Sequence, residues 1–389
     1  MCGISGYISN NKKISREDFI RTTNAMHHRG PDAEGFYENE NQSVMLGHKR
    51  LSIIDLSPAS NQPFFSSCGR YVIVYNGELY NYREIREQLQ LQTRTTGDTE
   101  VILEAYVKAG VQSFALLNGM FAFIIYDILE EKVIVCRDRV GIKPLFCYFD
   151  EERLAFASEI KALKGLPDFR KDIHYEIIPE FLHLGFISEP NTIFKQVSKF
   201  PAGCYAVFSV KDVNPGFVLP VERYWNLKDA IEPDVHRDFA TTKKALKELL
   251  IDSVDKQLVS DVPVGSFLSG GIDSSLVTAI AASLKKDTIK TFSIGYDSKK
   301  YDESEYALKI AQHLKTEHHA FRLTEDEVEG ILSDIITHYD EPFADASAYP
   351  TMIVSKLARK HVTVTLSGDG ADELFLGYGM YNWASRLDN

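Results

Sequence analysis

The first half of the chain shows short runs of β-branched and aromatic residues that are separated by Gly, Asn and Asp. Such runs are typical of strands that are joined by turns. Other stretches repeat their apolar residues about every 3.6 positions, with acidic residues early, which predicts helices. Strands grouped apart from helices predict an α+β domain. The predicted strands are Val72–Tyr75, Met120–Tyr126, Lys132–Arg137 and Pro144–Phe149, and the predicted helices are Phe19–His28, Tyr82–Leu91 and Thr99–Lys108.

The pattern turns irregular between Lys211 and Asp238, where Pro and Gly recur at Pro215, Gly216, Pro220 and Pro233. We therefore predict a linker at 213–237, between a first domain at 1–212 and a second at 238–389. After the linker, helices and strands alternate, which predicts a doubly wound parallel sheet with ligands at the carboxyl ends of its strands. The predicted helices are Lys243–Ser260, Asp273–Leu284, Glu303–Leu314, Glu325–His338 and Ser347–Lys360, and the predicted strands are Val262–Leu268, Ile289–Gly295 and Val362–Leu366.

Length and composition narrow the class of protein. A chain of 389 residues with 44% apolar and 25% charged residues is typical of a globular protein with two or three domains. The net charge of −12 argues against a nucleic-acid partner, although it allows a small anion such as ATP. No apolar run has the length of a membrane span, and the five cysteines lack the spacing of a disulfide framework. We expect a soluble cytoplasmic protein without a membrane partner.

Cys2 is the first candidate for chemistry. It would become the N-terminal residue if Met1 were removed, and its small side chain favours that removal. A free α-amine has a pKa of about 7.7–8.0, so it is partly neutral at pH 7 and can take the proton of the thiol. Since an isolated cysteine is more often a packed thiol, the accompanying motifs decide between the two interpretations.

The accompanying motifs follow one another along the whole first half of the chain. They are Met1-Cys2-Gly3-Ile4, His28-Arg29-Gly30-Pro31-Asp32, Arg50-Leu51-Ser52-Ile53-Ile54, Asn76-Gly77-Glu78, Gly97-Asp98, Gly119-Met120-Phe121-Ala122-Phe123, Arg137-Asp138-Arg139-Val140-Gly141-Ile142-Lys143-Pro144-Leu145 and Ser158-Glu159-Ile160-Lys161. In this order they closely resemble the glutaminase domain of class II glutamine amidotransferases, which has an N-terminal-nucleophile (Ntn) hydrolase fold. The resemblance implies an α+β Ntn sandwich with Cys2 as the nucleophile.

The residues to which the resemblance points have side chains that suit glutamine. Glutamine is a zwitterion, so Arg50 can hold its carboxylate and Asp98 its ammonium. The Asn76 amide and the Gly77 N–H can donate to the oxyanion that forms during hydrolysis. Singly, such residues are more often surface charges or a hairpin turn, but their combination with Cys2 favours function. The resemblance adds glutamine contacts at Leu51, Ser52, Ile53, Ile54 and Glu78.

Two Ser-Gly loops form the second candidate site. Ser269-Gly270-Gly271-Ile272-Asp273-Ser274-Ser275 lies between a predicted strand and a predicted helix, where backbone N–H groups can bind phosphate. Ser367-Gly368-Asp369-Gly370-Ala371-Asp372-Glu373 follows another strand, and both loops should open on one sheet edge. Asp273 and Asp372 could then bind Mg²⁺ between phosphates, whereas the alternative makes them helix N-caps.

Together with the first half, these loops resemble glutamine-dependent asparagine synthetase and its close relatives. That resemblance implies an adenylating second domain, in which a carboxylate attacks ATP and ammonia then displaces AMP. It also implies that Asp369 is catalytic, that the ammonia crosses a tunnel between the domains, and that the substrates are glutamine, ATP and aspartate. From the resemblance alone we expect a homodimer. The implied ATP contacts are Leu268, Ser269, Gly270, Gly271, Asp273, Ser274, Ile294, Ser367 and Gly368.

Three departures from the family keep alternatives open. Asp369 stands where the family carries glutamate, and acidic Asp345 lies where a cation should meet the α-carboxylate of aspartate. The second hypothesis is therefore a different carboxylate acceptor, which is a sugar acid, a peptide or a β-amino acid, and the third is a non-catalytic remnant that only binds ligands. The chain also ends at Asn389, before a helical region that the family carries. We therefore expect a fragment that hydrolyses glutamine better than it makes a new amide.

Overall fold

The structure is a computed structural model that describes residues 1–231, 238–296, 302–323 and 325–387. Pro233, in the predicted linker, and Asn389 lie outside the described residues. The chain divides into two compact units. The first comprises Met1–Val235 together with Tyr339–Ala344, and the second comprises His236–His338 and Asp345–Asn389.

The first unit is built on antiparallel strands that its described residues arrange in two six-stranded sheets. The strands are β1 (Gly3–Ile8), β2 (Ala33–Glu38), β3 (Val44–Arg50), β4 (Phe64–Phe65), β5 (Tyr71–Leu79), β6 (Gly119–Asp127), β7 (Lys132–Arg137), β8 (Phe146–Phe149), β9 (Leu154–Ala157), β10 (Val197–Lys199), β11 (Cys204–Ser209) and β12 (Val221–Arg223). The first sheet has the order β10-β8-β9-β1-β3-β2, and the second has the order β12-β11-β7-β6-β5-β4.

Both faces of these sheets are covered, which explains why their central strands are apolar at nearly every position. Ile4 and Leu46 of the first sheet share one core with Val74 and Ile124 of the second. Successive side chains of a strand point to opposite faces, so the intervening residues meet helices instead. On the outer face of the first sheet, Tyr7 packs in a cluster with residues of α1 and α4. The helices of this unit are α1 (Arg16–Asn24), α2 (Tyr82–Gln88), α3 (Asp98–Ala109), α4 (Ile160–Lys164), α5 (Ile178–Leu184) and α6 (Leu227–Ala230).

The second unit contains a parallel sheet with the order β15-β14-β13-β16. Its strands are β13 (Val264–Phe267), β14 (Lys290–Gly295), β15 (Glu317–Arg322) and β16 (Val364–Leu366). Its helices are α7 (Phe239–Gln257), α8 (Ile272–Leu284), α9 (Ser304–Leu314), α10 (Glu325–His338), α11 (Ala348–Ala358), α12 (Ala371–Phe375) and α13 (Gly379–Leu387). The chain runs outward from β13 to β15 and then returns to the other side of β13. The strand order therefore reverses between β13 and β16, where ligands of such sheets bind.

Neighbouring residues of β13 show that helices cover both faces of this sheet. The Ser266 hydroxyl lies 2.8 Å from the Thr278 hydroxyl of α8. Phe267, on the opposite face, packs in a cluster with Val354 and Ala358 of α11. The predicted α+β sandwich and the predicted doubly wound parallel sheet are both confirmed.

Several element boundaries differ from the prediction for local reasons. The first helix was predicted over Phe19–His28 but occupies Arg16–Asn24, because the Ser15 side chain caps it by accepting from the Asp18 N–H. β15 was not predicted, since its sequence Glu-His-His-Ala-Phe-Arg is largely polar and it is a strand because it pairs with β14. Inside the predicted linker, β12 pairs with β11. None of the helices in the described ranges is long and apolar enough to cross a membrane.

Candidate functional site

Cys2 lies just before β1, with its thiol against the loop that follows β3. The thiol donates to the Leu51 carbonyl oxygen at 3.6 Å, and the Leu51 N–H donates to the sulfur at 3.4 Å. Burial raises the pKa of the Cys2 thiol, so the sulfur needs a nearby base before it can act as a nucleophile. The α-amine next to it belongs to Met1 in this structure, and burial lowers the pKa of that amine to about 5.

Asn76 and Gly77 lie side by side in the middle of the second sheet, on β5. Asn76 is fully buried, and neither polar atom of its side chain has a hydrogen-bond partner among the residues that the structure describes. An amide left unpaired in a protein interior costs about 1–3 kcal/mol, so this one requires an explanation. A Cβ at Gly77 would overlap the Met120 carbonyl oxygen of β6, which restricts this position to glycine.

Two carboxylates, those of Glu78 and Asp98, lie close to this part of β5. Asp98 opens α3 and accepts hydrogen bonds from the Tyr75 hydroxyl at 2.8 Å and the Leu79 N–H at 2.9 Å. Burial raises the pKa of both carboxyl groups, and their mutual repulsion raises the pKa of Glu78 further. Since side chains two positions apart share a face of a strand, Glu78 and Asn76 point the same way. The site therefore combines two carboxyl groups that repel each other with an unpaired amide.

Arg50 orders the loop against which the Cys2 thiol lies. One terminal nitrogen of its guanidinium donates to the Ser57 carbonyl oxygen at 2.9 Å and to the Asn61 Oδ1 at 2.7 Å. The other donates to the carbonyl oxygens of Ile54 and Asp55. These contacts fix the loop at Ile54, directly after the segment Leu51-Ser52-Ile53, and at the residues that follow it. The predicted grip of Arg50 on a glutamine carboxylate stays a prediction.

Two further charged residues lie near Cys2 and had no role in the sequence prediction. The Nε of Arg29 donates to the Cys2 carbonyl oxygen at 2.9 Å, and its Nη1 donates to Glu159 at 2.9 Å. Lys143 is buried, and burial lowers its pKa to about 8 in spite of the favourable charge of Glu78. Both residues belong to motifs that the sequence singled out, so their place in a motif was the available signal.

The two Ser-Gly loops of the second unit line one cavity of about 430 Å³. The loop after β13 curls on itself, because the Ser269 hydroxyl lies 2.9 Å from the Ser274 hydroxyl and accepts from the Gly271 N–H at 3.2 Å. Ile294 reaches the cavity from the end of β14. Of the predicted ATP contacts, Leu268, Ser269, Gly271, Asp273, Ser274, Ile294, Ser367 and Gly368 line this cavity, and Gly270 does not.

Three aspartates, Asp273, Asp369 and Asp372, line the same cavity. The Asp369 carboxylate accepts from the Ser367 hydroxyl at 2.9 Å. In contrast, no hydrogen bond or ion pair from the described part of the chain engages the carboxylates of Asp273 and Asp372. Within the same ranges, no three His, Cys, Asp or Glu residues form a metal site by themselves. Two free carboxylates fit a cation whose remaining ligands come from a phosphate and water.

Comparison with known proteins finds two family matches that follow one another along the chain. The glutamine amidotransferase domain family matches residues 1–225, and the asparagine synthase family matches residues 245–389. A protein of Methanocaldococcus jannaschii named "Putative asparagine synthetase (glutamine-hydrolyzing) 2" is 38% identical over all of this chain and 78% of its own length. The chain belongs to the glutamine-hydrolysing asparagine synthetase family.

Other members of the family are longer than this chain. Asparagine synthetase (glutamine-hydrolyzing) 1 of Bacillus subtilis is 36% identical over 98% of this chain and 59% of its own length. Asparagine synthetase B of Escherichia coli is 32% identical over 97% of this chain and 65% of its own length. The chain thus spans less than two thirds of either synthetase, and it matches both across its two units.

Gly270 provides a test of the loop geometry. Its φ is +91°, and an added Cβ would lie 2.8 Å from the Tyr306 Cβ, whereas Gly271 has a φ of −69° and meets only the Ser269 hydroxyl at 3.3 Å. We expect Gly270→Ala to destabilise the second unit by about 1 kcal/mol or more, because alanine is strained at positive φ. Gly271→Ala should cost less. Thermal unfolding with hydrogen exchange over residues 268–275 measures both, and equal losses would contradict the assigned loop conformation.

Proposed function

We propose that the first unit hydrolyses glutamine at Cys2 and that the second unit activates aspartate with ATP, so that the ammonia yields asparagine. The observation that carries the proposal is the unpaired, fully buried Asn76 amide, which lies on the same strand as Glu78, a residue whose charge acts on the Cys2 thiol. An amide donor without a protein partner is suited to an oxyanion that exists only during the reaction.

In the proposed glutaminase reaction, removal of Met1 turns the Cys2 nitrogen into the terminal amine. That amine takes the thiol proton, and the sulfur attacks the side-chain amide carbon of glutamine. The Asn76 amide and the Gly77 N–H stabilise the tetrahedral oxyanion. Collapse of this intermediate expels ammonia and leaves a thioester, which water hydrolyses to glutamate and free thiol.

Recognition of glutamine uses the charges already present in the site. Glu78 and Asp98 bind the α-ammonium, whose positive charge offsets the repulsion between the two carboxylates. The segment from Leu51 to Ile54 supplies backbone contacts, and the charge of Arg50, which donates to the Ile54 carbonyl oxygen, attracts the α-carboxylate. A ligand without an ammonium group gains nothing from the acidic pair, so the site selects an amino acid.

The second unit is proposed to bind ATP in the 430 Å³ cavity between its Ser-Gly loops. The N-terminus of α8 and the hydroxyls of Ser269 and Ser274 face the phosphates. Asp273 and Asp372 would hold Mg²⁺, which would neutralise phosphate charge. Asp369 acts next to them in forming or using the adenylate. The aspartate side-chain carboxylate attacks the α-phosphate and releases pyrophosphate, and ammonia then displaces AMP. We place this reaction in the cytoplasm, and the homodimer stays a prediction.

Cys2→Ala tests the nucleophile. We expect the variant to lose glutamine hydrolysis by at least about a thousandfold, because it lacks the thiol that attacks glutamine. Cys68→Ala is the matched control, since Cys68 is an exposed free cysteine, and it should keep the wild-type rate. Glutamate release measured on both variants decides the matter. Retained hydrolysis in Cys2→Ala, or Met1 found intact on fully active protein by mass spectrometry, would refute the assignment.

The acidic pair predicts how glutamine use depends on pH. The raised pKa values mean that Glu78 and Asp98 take up protons as the pH falls, before an ordinary carboxyl group does, and the attraction for the ammonium is then lost. We expect kcat/KM for glutamine to decrease as the pH is lowered, with a midpoint above the ordinary glutamate pKa of about 4.3. Glu78→Gln should lower kcat/KM and move its acid-side decrease to lower pH, because Asp98 loses a repelling neighbour. If the midpoint of that decrease did not change, the proposed interaction between Glu78 and Asp98 would be contradicted.

Exchange of labelled pyrophosphate into ATP tests the acceptor. We expect aspartate to support the exchange, and we expect Asp273→Asn to abolish it while glutamine hydrolysis persists. Asp287→Asn, which changes an exposed acid outside the cavity, should leave the exchange unchanged. A panel of sugar acids, peptides and β-amino acids runs beside aspartate. Exchange with one of these and not with aspartate would reassign the acceptor, and no exchange with any would refute adenylation.

A further inference from the structure

The segment Tyr339–Ala344 lies between α10 and α11 in the sequence, but it belongs to the first compact unit. Asp340 accepts a hydrogen bond from the Lys161 N–H at 3.0 Å, and its other oxygen lies 3.6 Å from the Lys161 Nζ. Glu341 lies 3.4 Å from the Lys199 Nζ, and the Ala344 N–H donates to the Gly185 carbonyl oxygen at 2.9 Å. Two largely buried ion pairs and one backbone hydrogen bond therefore hold this segment in place.

The two ion pairs differ in where they lead. From Asp340, alternating charges continue to the nucleophile: the Lys161 Nζ lies 3.1 Å from Glu159, Glu159 accepts from Arg29 at 2.9 Å, and Arg29 donates to the Cys2 carbonyl oxygen at 2.9 Å. The side chains of this charge chain are between 8% and 19% exposed, so water screens their interactions weakly. Glu341 contacts Lys199 and has no such connection to Cys2.

We propose that Asp340 is a positioning residue for Cys2, acting through Lys161, Glu159 and Arg29. This inference rests on the proposed glutaminase function. Lys161 is shared between two carboxylates, Asp340 and Glu159. Without the charge of Asp340, the Lys161 ammonium interacts with Glu159 alone. Lys161 then competes with Arg29 for the Glu159 carboxylate. Arg29 is the group that fixes the backbone of the nucleophile, so its hold on the Cys2 carbonyl loosens.

The expected effect falls on the reaction step and not on glutamine binding. A shift of about 1 Å in a reacting group can cost about a hundredfold in rate, so even a partial shift of Cys2 should be measurable. The residues proposed to bind glutamine, Arg50, Glu78 and Asp98, make none of the contacts in the charge chain. We therefore expect kcat to change and KM to stay.

Asp340→Asn and Glu341→Gln form a matched pair for the test. Each removes one negative charge from the same segment and keeps a similar shape, but only Asp340 belongs to the charge chain. If Asp340 merely docks the segment, both variants should lose activity alike. Lys161→Met breaks the charge chain at the next residue and serves if Asp340→Asn does not fold.

Two measurements on the full chain decide the proposal: steady-state glutamine hydrolysis, and the rate at which iodoacetamide alkylates Cys2, with exposed Cys68 as the internal reference. We expect Asp340→Asn to lower kcat about tenfold, with KM within about twofold, and to change the alkylation of Cys2 but not of Cys68. Glu341→Gln should match the wild type in both. Asp340→Glu, which restores the charge, should recover most of kcat.

The proposal is overturned if Asp340→Asn behaves like the wild type, if both variants lose activity equally, or if kcat falls without any change at the Cys2 thiol. The alkylation measurement also separates this proposal from the proposed function. Should the wild-type chain not hydrolyse glutamine, the function fails. The difference between Asp340→Asn and Glu341→Gln in Cys2 alkylation then decides the positioning role alone.

Discussion

Charge that is held away from water next to Cys2 is the constraint on which the first unit depends. Glu78 interacts electrostatically with Asp98 and Lys143, and Lys143 also interacts with Arg29. Burial raises the pKa of Glu78 and of Asp98 and lowers that of Lys143, so it favours the uncharged form of each. Such groups persist in an interior only when neighbours compensate them. The compensation here is incomplete, because the two carboxylates repel each other and the Asn76 amide has no partner among the described residues. A substrate that brings an ammonium and a developing oxyanion supplies what is missing.

The two-sheet architecture makes this arrangement possible. β5 lies beside β6 in the second sheet, and its apolar residues fix its register through the core that both sheets share. Asn76, Gly77 and Glu78 continue the same strand, so the rigidity of the core extends directly into the site. The Gly77 position follows from the same pairing, since the Met120 carbonyl of β6 leaves no room for a side chain. β5 therefore contributes both to the shared core and to the proposed glutamine site.

Features that depend on the local sequence pattern could be predicted, whereas contacts between residues far apart in the sequence could not. The two Ser-Gly loops were predictable as one site because adjacent parallel strands end at the same edge, and the reversal of strand order between β13 and β16 puts them there. The role proposed for Asp98 rests on chemistry alone, because an ammonium needs a carboxylate, and it stays a prediction. By contrast, Lys161 and Asp340 are separated by 179 positions, and the local sequence around either residue does not predict their contact. β15 was missed because pairing with β14, and not its own composition, makes it a strand.

The placement of Tyr339–Ala344 has a consequence for dissecting the molecule. The polypeptide leaves the first unit near residue 235, forms most of the second, and comes back to the first for six residues before it returns. Cutting the chain at one position therefore cannot separate the two units. An excised N-terminal half would carry Lys161 and Lys199 without their acidic partners, and would expose a surface that the intact chain covers. Properties measured on such an excised piece would describe an altered protein, even where its fold survived.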